Sequence, residues 1–259
     1  MKNILESPIA VGFLAGVLFA GAGLVATPET QAQSAAQPTL IELFTSQGCS
    51  SCPPADAYLI ALDKRDDVIA LSMHITYWDY IGWADPFASE AVTNRQRAYG
   101  RRISRGRIYT PQIVVNGVLD AVGSIHSAVN RAIDKVQASM ASDLDIELSS
   151  LENGAVRVSI PGAHFDGAAT VWLARYDNEH VTEIERGENR GRTLRNINVV
   201  REMREIGIWN GMPLDIDLPL SELIAANGDG NDGCVIIVQK DGFGRVLGAR
   251  KMVFAEGAS

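Results

Sequence analysis

Two cysteines three positions apart, Cys49 and Cys52, are the residues of this chain best suited to chemistry. They follow an apolar run at 40–44 and precede two prolines at 53–54, an order that predicts a strand, a tight turn and a helix. Because the free N–H groups at the start of a helix stabilise an anion, a cysteine placed there ionises readily. We therefore interpret Cys49 as an attacking thiolate and Cys52 as the thiol that resolves a mixed disulfide.

Two other interpretations of the cysteine pair are a zinc site and a structural disulfide. A zinc site needs two further ligands, but the only other cysteine is Cys234 and the four histidines stand apart from one another. A disulfide across three positions closes a very short loop and stabilises a fold little. Redox exchange without a metal or an organic cofactor is therefore preferred. Cys234, which opens an apolar run, is predicted to be a buried, inert thiol.

Residues 1–32 have the order of a secretory signal peptide. Lys2 precedes an uncharged apolar stretch at 9–25, and small and polar residues then lead to an expected cleavage point after Ala32. Retention of this segment as an N-terminal membrane anchor is the alternative, because its length is close to the lower limit for a spanning helix. Either outcome predicts a periplasmic or secreted protein that meets the membrane only through this segment, in a compartment where disulfides persist.

Composition and pattern set the class of protein. The 259 residues are 46% hydrophobic, which suffices for a full core, and the net charge of −8 argues against a nucleic-acid binder. After a linker at 33–38, the order β-α-β-α-β-β-α over 39–140, with a hairpin-turn signal at Asn116-Gly117, predicts a compact α/β domain. Strict alternation broken by turns over 141–259 predicts a β-rich, sandwich-like subdomain.

Four motifs together resemble a known family. They are ELFTSQGCSSCPPAD at 42–56, the aromatic segment at 77–87, YTPQ at 109–112 and GENRGRTL at 187–194. On these motifs the chain resembles, over essentially its whole mature length, the secreted bacterial family called domain of unknown function 1223. The resemblance implies a thioredoxin-like α/β fold with an appended all-β C-terminal subdomain. It implies no substrate, because the function of that family is not established.

The first half is also similar, more distantly, to thioredoxins and glutaredoxins, which carry a CxxC pair faced by a cis-proline. This similarity implies that the Thr110-Pro111 bond is cis and that backbone groups of Thr110 pair with an extended substrate segment beside the thiol. A plain strand-opening proline is the alternative. Glu42, an acid inside an apolar strand, matches by the same similarity the buried acid that accepts the proton of the resolving thiol. A solvated Glu42 at a sheet edge is its alternative.

Aromatic, histidine and arginine residues follow the dithiol. Trp78 and Trp83 are predicted to form one wall of a groove over the cysteines, with burial in the core as the alternative. His74 ends the second predicted strand as a structural histidine, a proton carrier or, with both cysteines, a Cu(I) ligand. The arginine-rich run at 101–107 is by default a solvated face, and a site for an anionic partner or an anchor for the second domain is the alternative.

These features predict an exported thiol-disulfide oxidoreductase that acts on protein or small-molecule thiols and disulfides. A Cu(I)-handling protein that uses the same cysteines is one alternative, and a non-catalytic binding module with a relic dithiol is another. The predicted catalytic residues are Cys49, Cys52 and Glu42. The predicted substrate-binding residues are Thr110, Pro111, Trp78 and Trp83.

Overall fold

One large mixed sheet organises the chain in a computed structural model that describes residues 37–139, 144–224 and 228–254. The elements of the first half are β1 (Thr39–Thr45), α1 (Pro53–Leu62), β2 (Val68–His74), α2 (Glu90–Ile103), β3 (Gln112–Val115), β4 (Leu119–Val122) and α3 (His126–Gln137). Those of the second half are β5 (Glu147–Ser150), β6 (Val156–Ile160), β7 (Ala169–Glu183), β8 (Thr193–Trp209), β9 (Leu214–Leu218), α4 (Leu220–Leu223), β10 (Gly233–Lys240) and β11 (Val246–Val253).

The predicted signal segment at 1–32 lies outside the described residues, as does most of the predicted linker. Within the described ranges, no helix combines the length and the apolar character that crossing a membrane requires.

Helices cover both faces of the part of the large sheet that β1, β2, β3 and β4 form. The strands lie in the order β11-β10-β7-β8-β2-β1-β3-β4, with β1 parallel to β2 and antiparallel to β3. Because successive side chains of a strand point to opposite faces, Ile41 and Leu43 pack against α1 and α3, whereas Leu40 and Phe44 belong to the core that includes α2. The two faces of β1 therefore face different surroundings, and this division separates the candidate functional residues.

The second half is rich in strands, as predicted, but it divides between two sheets. Four of its strands, β7, β8, β10 and β11, continue the large sheet through a parallel contact between Ser72 of β2 and Val199 of β8. The other three form a small antiparallel sheet in the order β5-β6-β9. The small sheet shares a core with β7 and β10, which is sandwich-like packing, although one of its two layers extends into the first half. This arrangement pairs the free edge of β2 instead of leaving it open.

Candidate active site at the Cys49–Cys52 disulfide

Cys49 and Cys52 form a disulfide in the turn between β1 and α1, with their Cα atoms 5.4 Å apart. Backbone hydrogen bonds fix this turn: the Cys49 N–H donates to the carbonyl of Ser46, and the Cys52 N–H donates to the carbonyl of Cys49. Cys52 is the N-cap of α1, and prolines occupy the first positions of the helix. The predicted order of strand, dithiol turn and proline-opened helix is confirmed, so the pair lies at the positive end of a helix dipole.

The Thr110–Pro111 peptide bond is cis, as the similarity to thioredoxins implied, and it faces the disulfide. Thr110 Oγ1 lies 3.2 Å from Cys49 Sγ and also accepts a hydrogen bond of 2.7 Å from Trp78 Nε1. Ser51 Oγ lies 3.3 Å from the same sulfur. Two hydroxyls therefore surround Cys49 Sγ, and each can donate a hydrogen bond to a thiolate formed there.

Both sulfur-bearing residues lie beneath the surface. Cys49 is 1% exposed and Cys52 is fully buried, whereas Ser50 and Ser51 between them are exposed. The N–H of Ser50 donates a long hydrogen bond of 3.4 Å to the carboxylate of Glu188. The solvent-exposed part of the dithiol turn is thus the Ser-Ser dipeptide, with the exposed carboxylate of Glu188 beside it.

The loop at 184–192, which joins β7 to β8, holds the dithiol turn from outside the first half. Its buried Asn189 donates from Nδ2 to the carbonyl of Gln47 at 2.8 Å and to the carbonyl of Cys49 at 3.0 Å. These two carbonyls belong to the turn that leads into α1. The hydrogen bonds therefore fix the position of the disulfide from a segment about 140 residues away along the chain. The β-rich half is therefore part of this site.

The two predicted tryptophans both lie at the site and are half-buried. The ring of Trp78 stacks on Tyr80 with centroids 6.4 Å apart, and Tyr80 is 80% exposed. A Cβ added to Gly48 would lie 3.2 Å from Trp78 Cβ and 3.3 Å from the Trp78 carbonyl oxygen, so the dithiol turn packs closely on this residue. Trp83 Nε1 donates to the side-chain carbonyl of Gln47 at 3.1 Å. Trp78 therefore packs against the turn. Together with the exposed Tyr80 it forms an aromatic surface, which we call the aromatic shelf.

A buried histidine and two buried aspartates lie behind the turn. His74 Nδ1 lies 2.7 Å from Asp85 Oδ2, and its Nε2 lies 3.1 Å from the hydroxyl of Ser72. Burial opposes the charged form of His74, but the charges of Asp85 and Asp56 outweigh it and raise the pKa of the imidazole. Asp85 Oδ2 also accepts the N–H of Gln47 at 2.7 Å, which ties this pair to the dithiol turn.

Asp56 is a buried acid one helical turn after Cys52, the predicted resolving cysteine. It lies in the first turn of α1, is 7% exposed, and donates its N–H to the carbonyl of Cys52, which stands one helical turn earlier on the same face. Burial raises the pKa of Asp56 to about 7, although the charge of His74 and a hydrogen bond of 2.9 Å from Thr45 Oγ1 act in the opposite direction. Such a carboxyl group gives up and takes back a proton at neutral pH.

Glu42 does not lie at the dithiol. It is on the face of β1 that carries Leu40 and Phe44, away from α1, and it is fully buried, so the alternative of a solvated edge is wrong. Arg95 binds both of its carboxylate oxygens, at 2.5 and 3.2 Å, and the hydroxyl of Tyr99 donates to it at 2.6 Å. The predicted acid is therefore buried and paired, but the acid that shares a helix face with Cys52 is Asp56.

Three further residues of the site were not predicted from the sequence: Ser51, Asp56 and Asn189. Asp56 carried a usable signal, because an acid four positions after a cysteine in a proline-opened helix faces the same side as that cysteine. Asn189 carried none of its own, since only the fold brings it to the turn.

Three further predictions concern Cys234, His74 as a metal ligand and the arginine-rich run at 101–107. Cys234 is buried in β10, as predicted, and burial raises the pKa of its thiol to about 12. Both ring nitrogens of His74 already contact protein groups, and in the described ranges no three or more His, Cys, Asp or Glu residues converge as metal ligands would. The arginines at 101, 102, 105 and 107 are exposed, in keeping with a solvated face.

The architecture and the site define an α/β protein with a disulfide at the start of a helix and a cis-proline facing it. A family model described as "Protein of unknown function (DUF1223)" matches residues 40–239, and the chain belongs to this family. No curated protein matches the sequence. The crystal structure of protein AGR_C_4864 from Agrobacterium tumefaciens is similar, with a TM-score of 0.74 and 28% sequence identity over 87% of this chain and 98% of that chain.

Proposed function

We propose that this protein is an exported, thioredoxin-like thiol-disulfide oxidoreductase that exchanges its Cys49–Cys52 disulfide with protein or small-molecule thiols. The observation that carries the proposal is the contact of 3.2 Å between Cys49 Sγ and Thr110 Oγ1, which places the cis-proline segment against the sulfur at a helix start. The order β1-α1-β2-α2-β3-β4-α3, with cysteines after β1 and the cis-proline before β3, supports the thioredoxin-like fold. The residue order at 1–32 supports export.

The exchange balances with the residues present. A substrate thiolate attacks Cys49 Sγ, the bond between the two cysteines breaks, and Cys52 leaves as a thiolate that takes a proton from Asp56. A second substrate thiolate then attacks the substrate sulfur of the mixed disulfide, and Cys49 leaves as a thiolate. The substrate is oxidised to a disulfide, and the protein gains two electrons. The two substrate thiols release their protons to the solvent when they ionise, and one proton from the solvent restores Asp56, so the protein gains one proton while Cys49 remains a thiolate. Reduction of a substrate disulfide runs through the same steps in reverse, with Asp56 as the base that activates Cys52.

The surroundings of Cys49 serve this chemistry in two ways. The hydroxyls of Thr110 and Ser51 and the N-terminus of α1 stabilise the thiolate that forms on Cys49. The backbone of Thr110 and the aromatic shelf of Trp78 and Tyr80 lie next to the sulfur and offer an extended peptide both strand pairing and ring contacts. The substrate class that fits this arrangement is an unfolded or flexible segment that carries a cysteine.

Cysteine variants test the proposal in a thiol-oxidation assay with a cysteine-containing peptide. We expect Cys49→Ser to abolish turnover. Cys52→Ser, incubated with the disulfide form of the peptide, should accumulate mixed disulfides on non-reducing gels, because Cys49 attacks the peptide disulfide and the resolving thiol is missing. Cys234→Ser is the matched control, because that thiol is buried far along the chain in β10 and turnover should persist. Wild-type turnover by a folded variant that lacks both Cys49 and Cys52 would overturn the proposal.

A further inference from the structure

A second concave site lies between α2 and the part of the large sheet formed by the second half of the chain. The cavity has a volume of about 330 Å³, near the small end of the range of about 300–1,000 Å³ typical of ligand pockets. Helix α2 forms one wall. Trp172 of β7, Met203 of β8 and Phe243 of the β10–β11 turn line the other. None of these residues belongs to the disulfide site, and the proposed exchange reaction does not use them.

The sheet side of the cavity is an aromatic wall. The rings of Trp172 and Phe243 stack with centroids 6.1 Å apart and an angle of 25° between their planes. Both residues and Met203 are half-buried, so part of their apolar surface remains open to the cavity. Aromatic rings give a large contact area, and a methionine adapts to the shape of what it meets. This wall favours an apolar ligand body.

A buried guanidinium supplies the polar anchor. The side chain of Arg95 is 4% exposed, and its Nε and Nη2 are used by Glu42 and Tyr99. Its Nη1 also lacks solvent access, and no group of the described chain accepts a hydrogen bond from it. The guanidinium carbon lies 5.7 Å from the Trp172 ring and 5.6 Å from the Phe243 ring. A buried cationic donor without an acceptor is costly, and an acceptor brought by a ligand would remove that cost.

The charge around the cavity selects the kind of acceptor. Glu42 balances the charge of Arg95, but the exposed Arg101 also lines the cavity and adds a positive charge. A single carboxylate matches the unused NH2 group of Arg95 and one extra positive charge, whereas a phosphate would bring more charge and more acceptor oxygens than these groups can satisfy. We propose that this cavity binds a small, mainly apolar carboxylate, whose body packs on Trp172 and Phe243 and whose oxygen accepts from Arg95 Nη1 once a shift of the lining side chains opens that atom to the cavity.

Calorimetric titration of the full chain tests this second site with benzoate and hexanoate as probes. Benzyl alcohol and 1-hexanol are the matched uncharged compounds. We expect saturable binding of one carboxylate per chain, tighter than that of its alcohol by about tenfold or more, because a charge-assisted hydrogen bond replaces a neutral one. Equal affinity for acid and alcohol, or no saturation, would overturn the proposal.

Two variants and one control variant locate the site without disturbing the Arg95 pair. Arg101→Gln should weaken carboxylate binding several-fold and leave the alcohols unchanged, while Arg102→Gln, an exposed neighbour outside the cavity, should change neither. Ala98→Leu adds side-chain atoms to the cavity from the helix and should abolish binding of both probes. Circular dichroism verifies that the variants are folded. Unchanged binding by folded Ala98→Leu would place the ligand elsewhere and contradict the proposal, whatever the outcome for the disulfide.

Discussion

Two buried carboxylates lie on opposite faces of β1 and differ in what surrounds them. Glu42 is held by the guanidinium of Arg95 on two oxygens and by the hydroxyl of Tyr99. Asp56 accepts a hydrogen bond from the hydroxyl of Thr45 and has the charge of His74 near it, and burial raises its pKa to about 7. A buried acid bound directly to a cation holds a fold together, whereas a buried acid held by a hydroxyl can exchange protons at neutral pH.

The largest expected effect comes from breaking the ion pair between Glu42 and Arg95. Glu42→Gln leaves the buried guanidinium of Arg95 without its counter-charge, and we expect the free energy of unfolding to fall by about 3–5 kcal/mol in urea titrations. Glu179→Gln, which breaks an exposed carboxylate–arginine pair of β7 and β8, is the matched control and should have little effect.

The double variant Glu42→Gln with Arg95→Met tests the cause of that loss. It removes the orphaned charge together with its partner, so it should recover most of the lost stability. A double variant as unstable as Glu42→Gln alone would contradict the role assigned to the ion pair.

The second prediction concerns pH and stability on the Asp56 side. The unfolded carboxyl releases its proton near its ordinary pKa of 3.8 and the folded one only near 7, so between these values the folded state binds more protons than the unfolded state. The contribution of Asp56 to the free energy of unfolding should therefore fall as the pH rises from about 4 to 7, by up to about 4 kcal/mol. The measurement is the difference between wild type and Asp56→Asn in urea titrations across this range. A difference that does not change with pH would show that Asp56 does not titrate there.

The third prediction is kinetic. Asp56→Asn keeps the shape of the side chain but removes the group that we propose transfers the proton of Cys52. We expect the step that releases or resolves the mixed disulfide to slow by about 10²-fold at pH 7 in stopped-flow measurements. The wild-type rate should change with a pKa near 7 that the variant lacks. A variant with the same rate and the same pH profile as the wild type would remove Asp56 from the mechanism.

The smallest effects come from a matched pair of hydroxyl deletions. Thr45→Val removes the hydrogen bond that lowers the pKa of Asp56, so the pH profile of exchange should move to higher pH. Tyr99→Phe removes the corresponding donor from Glu42 and should lower the free energy of unfolding by about 1–3 kcal/mol with the pH profile unchanged. If both variants moved the profile equally, the two acids would not have separate roles.

The sequence predicts the parts of the site that depend on local signals. Prolines after the cysteines indicate a helix start, and Asn116-Gly117 indicates the hairpin that the structure forms between β3 and β4, with positive φ at both residues. The placement of Glu42 could not be predicted in the same way. Alternation shows that positions 41 and 42 face opposite ways, but only the packing of α1 decides which face lies toward the Cys49–Cys52 disulfide.

Contacts between distant segments account for the other differences. Nothing in the residues around Val199 indicates that β8 lies beside β2, so the second half was predicted as a separate sandwich-like unit. For the same reason Asn189 could not be assigned to the dithiol turn before the fold was known. Both are long-range pairings that residue patterns alone do not encode.

The reduction potential of the Cys49–Cys52 pair, measured by equilibration of the purified protein against glutathione and dithiothreitol buffers, tests the central claim most directly. The account predicts a value between about −120 and −270 mV, the span of proteins that exchange disulfides with partners. A value near the upper end would indicate a protein that donates disulfides, and one near the lower end a protein that reduces them. A potential below about −300 mV, with the bond intact in both buffers, would indicate a structural disulfide and contradict the proposed function.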